Sequence, residues 1–168
     1  IINISMHSHK LNNNWVLWFH SPIDNDWTID SYKEIFKINT IEDFWGLSET
    51  LSNKYVSNSM FFLMREGIKP IWEDETNCNG GCWSFKISKK DIHKAWNELS
   101  IALLGETITI SKDESPNITG ISISPKKAFC IIKIWNKNSK KNKQDLLSKK
   151  IPFIFLNSSI YKAHNDKK

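Results

Sequence analysis

The sequence predicts an α+β fold in which a curved, mainly antiparallel β-sheet carries helices on its convex face. Short segments rich in aromatic and β-branched residues alternate apolar and polar side chains, as antiparallel strands do. Two longer segments between them place apolar residues at helical spacing. With 168 residues and 40% hydrophobic content, the chain has enough apolar surface for one core. We therefore expect a single domain over residues 1–168, with flexible tails at 1–10 and 165–168.

The strands follow from their alternation and from the turn residues that bound them. Residues 68–72 are expected to extend the second strand briefly, and the third strand is expected to pair back on the second as a hairpin. In chain order, the predicted strands cover residues 15–20, 59–64, 83–87, 118–124, 128–135 and 152–161.

Two helices are predicted from their caps and apolar stripes. Thr40-Ile-Glu-Asp43 has the pattern of a capping box, which starts a helix after Thr40. The second helix is predicted over residues 89–104, with Gly105 as its stop. The expected core residues of the two helices are Phe44, Leu47 and Leu51, and Ile92, Trp96, Leu99 and Leu103.

Alternation along residues 128–135 assigns the two faces of that strand. Cys130, Ile132 and Ile134 are apolar at every second position and are expected to face the core. Lys133 and Trp135 then lie together on the opposite face, beside Phe129 and Ile131. A tryptophan and a lysine on one non-core surface suggest a binding role.

Composition narrows the class of protein. A net charge of +5 and a pI near 9.0 favour a polyanionic partner, although excess lysine is also an ordinary solubility feature. Eight tryptophans exceed what one core needs, so some are expected to serve a ligand or a partner. No apolar run approaches the roughly 18 residues of a membrane span, and three cysteines fit a reducing compartment. We expect a cytoplasmic protein that does not enter a membrane.

Catalytic and metal sites are not predicted. The five histidines are scattered and join no nucleophile or acid cluster. Cys78 and Cys82 have no second Cys or His pair at the spacing that zinc needs. Glu73-Asp-Glu75 lacks the wider acid pattern of a metal-dependent hydrolase. The sequence thus favours a non-enzymatic binding protein without a cofactor.

A set of motifs in fixed order resembles the cap-binding translation initiation factor 4E family. No single motif is specific, but their order and spacing together are. The matching segments are His9-Lys-Leu-Asn-Asn-Asn-Trp15-Val-Leu-Trp18-Phe, Trp27, Thr40-Ile-Glu-Asp-Phe-Trp45, Gly67-Ile-Lys-Pro-Ile-Trp72-Glu73-Asp-Glu, Gly80-Gly-Cys-Trp83, Leu104-Gly-Glu106, Ile134-Trp135 and Tyr161-Lys-Ala-His164.

The resemblance implies a ligand, the 7-methylguanosine 5'-triphosphate cap of mRNA, and residues that bind its base. Trp27 and Trp72 stand at the two stacking positions, where a cationic methylated ring gains cation–π energy. Glu73 matches the carboxylate that accepts hydrogen bonds from the guanine edge. Trp135 matches the residue that packs on the methyl group. Trp27 also lies in a polar loop without an apolar stripe to join, which favours a ligand over a core role.

At the phosphate end the sequence departs from the family. Lys126 stands at the first phosphate-binding basic position, but the second is Ile131, and Cys82 replaces a further basic residue. Lys133 shares a strand face with Ile131, and Lys127 lies in the adjacent turn. We therefore expect a phosphate site at Lys126, Lys127 and Lys133, in which either Lys127 or Lys133 supplies the charge that Ile131 lacks.

Apolar residues off the core stripes of the helices predict a partner surface. In the family this surface, with Trp45 central, binds a helical motif of the scaffold factor 4G and of competing repressors. Trp45 as a core residue is the alternative. The expected partner-binding residues are Ile41, Trp45, Ile101 and Gly105.

The resemblance implies a monomer that recruits capped mRNA to the translation machinery through a scaffold initiation factor of the 4G type. Two other functions stay open on sequence alone. One is a cap-binding translational repressor. The other is a protein-interaction domain that kept the fold but lost the cap, which Ile131 and Cys82 make conceivable.

Overall fold

A computed structural model of the chain describes residues 8–165 and contains one seven-stranded sheet in which all pairs are antiparallel. The spatial order of the strands is β2-β1-β3-β5-β6-β4-β7. The strands and helices are β1 (Lys10–His20), β2 (Lys33–Thr40), α1 (Ile41–Thr50), α2 (Asn53–Asn58), β3 (Met60–Arg65), β4 (Gly81–Ser88), α3 (Ile92–Leu104), β5 (Ile118–Pro125), β6 (Phe129–Asn136) and β7 (Ile160–Ala163).

The two faces of the sheet carry apolar clusters of different size. The main core lies between one face and the helices, where Trp96 and Leu99 of α3 pack with Leu17 and Ile132 of the sheet. On the other face lies a smaller cluster, formed by Met60, Phe62, Met64, Cys82 and Trp135. The predicted fold class, a curved antiparallel sheet with helices on its convex face, is therefore confirmed.

The helix caps follow the sequence closely. The Thr40 hydroxyl accepts a hydrogen bond from the backbone N–H of Asp43, and the Asp43 carboxylate accepts one from that of Thr40. This capping box satisfies two backbone donors that α1 would otherwise leave free. The predicted end of the second helix is also present, because Gly105 is the C-cap of α3.

Strand pairing differs from the prediction in one respect that matters for the site. The expected hairpin between the strands at 59–64 and 83–87 is wrong, because β4 pairs with β6 and β7 while β3 pairs with β1 and β5. Residues 68–72 form irregular loop, bends and the start of a turn rather than a strand. The segment between β3 and β4 is thus a long loop, and it carries Trp72 and Glu73.

Four further differences concern strand β2, helix α2, the last strand and the N-terminal tail. β2 and α2 were not predicted, and in β2 only Ile38 is buried, so the strand lacks apolar alternation. The last strand is Ile160–Ala163 rather than 152–161, because Phe153 has a positive φ and Leu156–Ser158 is a 3₁₀ turn. Lys10 begins β1, so the predicted tail at 1–10 is too long; residues 1–7 and 166–168 lie outside the described residues.

β6 has the predicted two-sided character. Cys130, Ile132 and Ile134 are completely buried in the main core, while Trp135 belongs to the cluster on the opposite face. Among the described residues, no helix is long and apolar enough to cross a membrane.

Candidate ligand-binding site

A cleft of about 530 Å³ opens on the sheet face opposite α3. It brings together the predicted Trp27, Trp72, Glu73 and Trp135 with two of the predicted lysines, Lys126 and Lys133. Its lining residues are Pro22, Trp27, Tyr32, Met60, Phe62, Pro70, Ile71, Trp72, Glu73, Ser122, Ser124, Pro125, Lys126, Lys133 and Trp135. Lys127 is exposed and does not line the cleft.

Trp27 lies in a loop that is tied by its own aspartates. The Asp24 carboxylate accepts a hydrogen bond from the backbone N–H of Asp26, and that of Asp26 accepts one from Thr28. The bond from the Thr28 backbone holds the pKa of Asp26 below its usual value, so the carboxylate stays charged. Behind Trp27, the imidazole of His20 lies parallel at 4.5 Å between ring centroids, with an interplanar angle of 9°. The indole is held on one side only and remains 55% exposed.

Trp72 lies in the loop between β3 and β4, which Asp74 and Asn77 organise. The Asp74 carboxylate accepts hydrogen bonds from the backbone N–H groups of Lys69 and Thr76. Asn77, completely buried, donates through Nδ2 to the carbonyls of Lys69 and Ile71, at 3.0 and 3.1 Å. These bonds fix the backbone on both sides of Trp72.

His164 supports Trp72 as His20 supports Trp27. Its ring lies 5.7 Å from that of Trp72 at an interplanar angle of 12°. Nδ1 of His164 donates to the carbonyl of Asn77 at 2.8 Å, which joins the end of β7 to the Trp72 loop. Burial lowers the pKa of His164, and the nearby charge of Lys133 lowers it further, so the imidazole is neutral at pH 7. Trp72 keeps 45% of its surface exposed.

The two tryptophans are joined by a continuous chain of aromatic rings under the cleft. Neighbouring centroids in this ring chain lie between 4.5 and 6.2 Å apart, the range of favourable aromatic contacts. In order, the ring chain runs Trp27, His20, Tyr32, Phe62, Trp135, His164, Trp72.

The middle of the ring chain forms the floor of the cleft. Nε1 of Trp135 donates to the Ser122 hydroxyl at 2.9 Å, which fixes the plane of that ring. Burial, together with the charges of Glu73 and Asp26, raises the pKa of Tyr32 to about 12. The cleft can therefore hold a flat ring between two exposed indoles, over a neutral aromatic floor and beside the carboxylate of Glu73.

Basic residues lie along the same sheet face. The Nζ atoms of Lys133 and Lys162 each lie 5.9 Å from the ring centroid of Trp72. Cross-strand pairing places Lys162 opposite Cys82. Burial raises the pKa of the Cys82 thiol, so Cys82 adds no charge to this face. Lys86 pairs directly opposite Ile131, with its Nζ 4.3 Å from the ring centroid of Phe129.

Sequence analysis missed several of these residues. Lys86 and Lys162 become neighbours of Lys133 only through the register of β4, β6 and β7. His20, His164 and Tyr32 acquire their places through tertiary contacts, although His164 lies within a recognised motif. Nothing in their local sequence could have indicated those contacts.

The predicted partner surface lies on the helical side of the molecule. Trp45 is 52% exposed, so it is not a core residue. Ile41, Ile101 and Gly105 are exposed as well. Asn97, on the same face of α3, lines a narrow crevice with Leu47 and Leu51.

No cluster of three or more His, Cys, Asp or Glu side chains that could hold a metal ion occurs within residues 8–165. Cys78 and Cys82, considered above as zinc ligands, are both free thiols.

The model of the eukaryotic initiation factor 4E family matches residues 10–168 of the chain. Translation initiation factor 4E of Candida albicans is 34% identical over 145 residues, which cover 80% of this chain and 68% of that protein. Factor 4E-2 of Schizosaccharomyces pombe is 34% identical over 150 residues, covering 84% of this chain and 58% of that protein. The chain thus spans about three fifths to two thirds of the length of these relatives.

Solved structures agree with the sequence comparison. Initiation factor 4E-3 of C. elegans, in complex with the 4E-binding protein Mextli and a cap analog, superimposes with a TM-score of 0.77 at 25% identity, covering 95% of both chains. Factor 4E-3 of Ascaris suum in complex with an m2,2,7G cap gives a TM-score of 0.71 at 29% identity, covering 80% of this chain and 77% of that one.

Proposed function

Because the chain belongs to the eukaryotic initiation factor 4E family, we propose that it binds the 7-methylguanosine cap of mRNA and acts in translation initiation in the cytoplasm. It is a binding protein, not an enzyme. In this proposal the methylated base enters the cleft between Trp27 and Trp72, the carboxylate of Glu73 accepts hydrogen bonds from the guanine edge, and Trp135 contacts the methyl group.

The observation that carries the proposal is the cleft itself. Two half-exposed indoles, each backed by an imidazole, line this cleft beside an acidic side chain. A methylated guanine is a flat cation whose Watson–Crick edge presents N–H donors, so it matches both the indole faces and the carboxylate. The same cleft argues against a domain that has lost its ligand.

The base site is tested by fluorescence titration with methylated and unmethylated guanosine triphosphate. Trp27→Ala and Trp72→Ala should each weaken binding of the methylated ligand by about 1–3 kcal/mol and remove most of the preference for it. Trp45→Ala is the matched control, because Trp45 is about as exposed as Trp27 but lies on the helical side. Equal binding of both ligands by the unchanged protein would refute the proposal.

For the phosphates we propose Lys126 and Lys133, joined by Lys162 and Lys86. Lys126 and Lys133 line the cleft, and Lys162 is as close to Trp72 as Lys133 is. Lys86 lies directly across from Ile131 and can supply the charge that this position lacks. Lys127 has no comparable placement, so we leave it out of the proposed site.

Single alanine substitutions separate these lysines from the base site. Lys126→Ala, Lys133→Ala and Lys162→Ala should each weaken binding of methylated guanosine triphosphate by about 0.5–1 kcal/mol at low salt, and less at high salt. Binding of 7-methylguanosine without phosphates should not change. Lys127→Ala serves as the control, and a loss in that variant equal to the loss in Lys126→Ala would contradict the assignment.

Recruitment of a scaffold factor of the 4G type, or of a repressor with a short helical motif, is the second part of the proposal. It is supported by the exposed apolar residues Ile41, Trp45 and Ile101 on the helical side. Trp45→Ala should abolish binding of a scaffold-derived helical peptide and leave cap affinity unchanged. Equal loss of both activities would show that Trp45 acts through the fold.

A further inference from the structure

We propose that His20 and His164 are positioning residues whose neutral imidazoles back the two stacking tryptophans and tune them for a cationic base. This inference rests on the proposed function, because it assigns the role of two residues at the same cleft. Neither histidine lines the cleft. Each acts on the ligand only through the indole in front of it.

The contacts of His20 fix both its plane and its tautomer. The residue is completely buried and lies 4.5 Å from Trp27 at 9°. Nε2 donates to the carbonyl of Asp26, the residue before Trp27, at 2.8 Å. Nδ1 is buried and has no hydrogen-bond partner among the described residues. With its proton on Nε2, the imidazole donates to the backbone beside Trp27 and ties the plane of the indole to it.

His164 repeats this arrangement on the opposite wall with the nitrogens exchanged. Nδ1 donates to the carbonyl of Asn77, while Nε2 is buried without a partner among residues 8–165. The ring is nearly parallel to Trp72. Two imidazoles from different ends of the chain therefore each stack on one wall, donate once to a backbone carbonyl, and have a second nitrogen without a hydrogen-bond partner among the described residues.

The imidazoles need to be neutral because the base that Trp27 and Trp72 bind is a cation. A cation above an indole is attracted by the negative ring face, and a second cation behind the same indole opposes that attraction. The groups facing His20 are the Asp26 carboxylate and the neutral Tyr32. Those facing His164 are Glu73 and Lys133. Protonation of either imidazole then weakens binding of the methylated base more than binding of the uncharged, unmethylated one.

The test replaces each imidazole by a ring that cannot be protonated. His20→Phe and His164→Phe keep a flat stacking partner, whereas His20→Leu and His164→Leu do not. His93→Phe is the matched control, since His93 also donates to a backbone carbonyl, that of Leu51, at 2.8 Å but lies on α3. The affinities for methylated and unmethylated guanosine triphosphate are measured by fluorescence titration at pH 7.

In the unchanged protein at pH 7, methylated guanosine triphosphate should bind more tightly than the unmethylated form. The doubly substituted His20→Phe, His164→Phe protein should keep this preference, and His93→Phe should behave like the unchanged protein. The phosphate contacts are common to both ligands and cancel in the ratio of the two affinities. At pH 7, each Leu variant should bind the methylated ligand about tenfold more weakly, and each Phe variant within about threefold of the unchanged protein.

The inference is overturned if the Leu variants bind the methylated ligand as tightly as the Phe variants do. If one Leu variant does not fold, the Leu variant at the other histidine decides the matter in the same way. Failure of the unchanged protein to prefer the methylated ligand at pH 7 would instead refute the proposed function, so the two failures are distinguishable.

Discussion

Removal of the Asn77 side chain tests how the fold holds the Trp72 wall. Asn77→Ala deletes the two hydrogen bonds that Nδ2 donates to the carbonyls of Lys69 and Ile71. Because Asn77 is completely buried, water does not replace these bonds without opening the loop. The hydrogen bond from the His164 imidazole Nδ1 to the backbone carbonyl of Asn77 is retained, but the residues before Trp72 lose their anchor.

The magnitude follows from the two bonds lost. Each hydrogen bond of this kind contributes about 0.5–1.5 kcal/mol, so the free energy of unfolding should fall by about 2 kcal/mol. For a domain of this size that corresponds to a decrease in Tm of about 4–8 °C. Since Trp72 and Glu73 must then be ordered when the ligand binds, affinity for the methylated cap should also fall, by about threefold to tenfold.

The assay combines thermal unfolding with cap titration of the same preparations. Asn77→Asp has the same shape, but its carboxylate would be buried against the two carbonyl oxygens, so it should lower stability more than Asn77→Ala does. Asn79→Ala, two residues further along the same turn, removes a contact only with the exposed Asn165 and should change stability by less than about 0.5 kcal/mol. Unchanged Tm together with unchanged cap affinity in Asn77→Ala would refute the reasoning.

Three other outcomes are expected. Burial alone would raise the pKa of Glu106, but hydrogen bonds, chiefly from Arg65, keep that pKa below its usual value. The ion pair of Arg65 with Glu106 therefore stabilises the fold fully above about pH 4.3, and this stabilisation is lost as the pH falls further. Glu106→Gln should therefore lower the free energy of unfolding by about 3 kcal/mol at pH 7 and flatten its acid dependence, and an unaltered acid dependence in chemical denaturation would contradict this. Gly80→Ala should prevent normal folding, because its Cβ would overlap the carbonyl oxygen of Asn136; a native circular dichroism spectrum with unchanged Tm is the contrary result. Tyr32, with its pKa raised to about 12, should remain un-ionised in an ultraviolet titration at pH about 11, and a Tyr32→Phe difference spectrum identifies it.

Local sequence signals were sufficient to predict those elements that interactions between neighbouring residues determine. The capping box at Thr40 satisfies neighbouring backbone donors, so it could be recognised from four residues. Alternation in β6 determined which side chains face the core, because successive strand residues point to opposite faces. For Trp27 and Trp72, the family resemblance predicted two positions that the fold brings to one cleft.

Pairing between distant strands was not predictable in the same way. β4 was expected beside β3 because it follows β3 in the chain, yet its partners are β6 and β7, which the sequence separates from it by a helix and long loops. Register is a property of two strands together, so the pairing of Lys86 with Ile131 and the approach of Lys162 to Trp72 had no local signal. Edge strand β2 was missed for another reason: only Ile38 is buried there, and a strand with one buried side chain shows no alternation.

The ring chain beneath the cleft has an evolutionary consequence. Its members come from β1, β3, β6, two loops and the end of β7, and each ring touches the next. A change in the size of one ring must be absorbed by its neighbours or it alters the separation of Trp27 and Trp72. Substitutions along the ring chain should therefore be inherited as compensated sets, and selection acts on the seven positions as one trait.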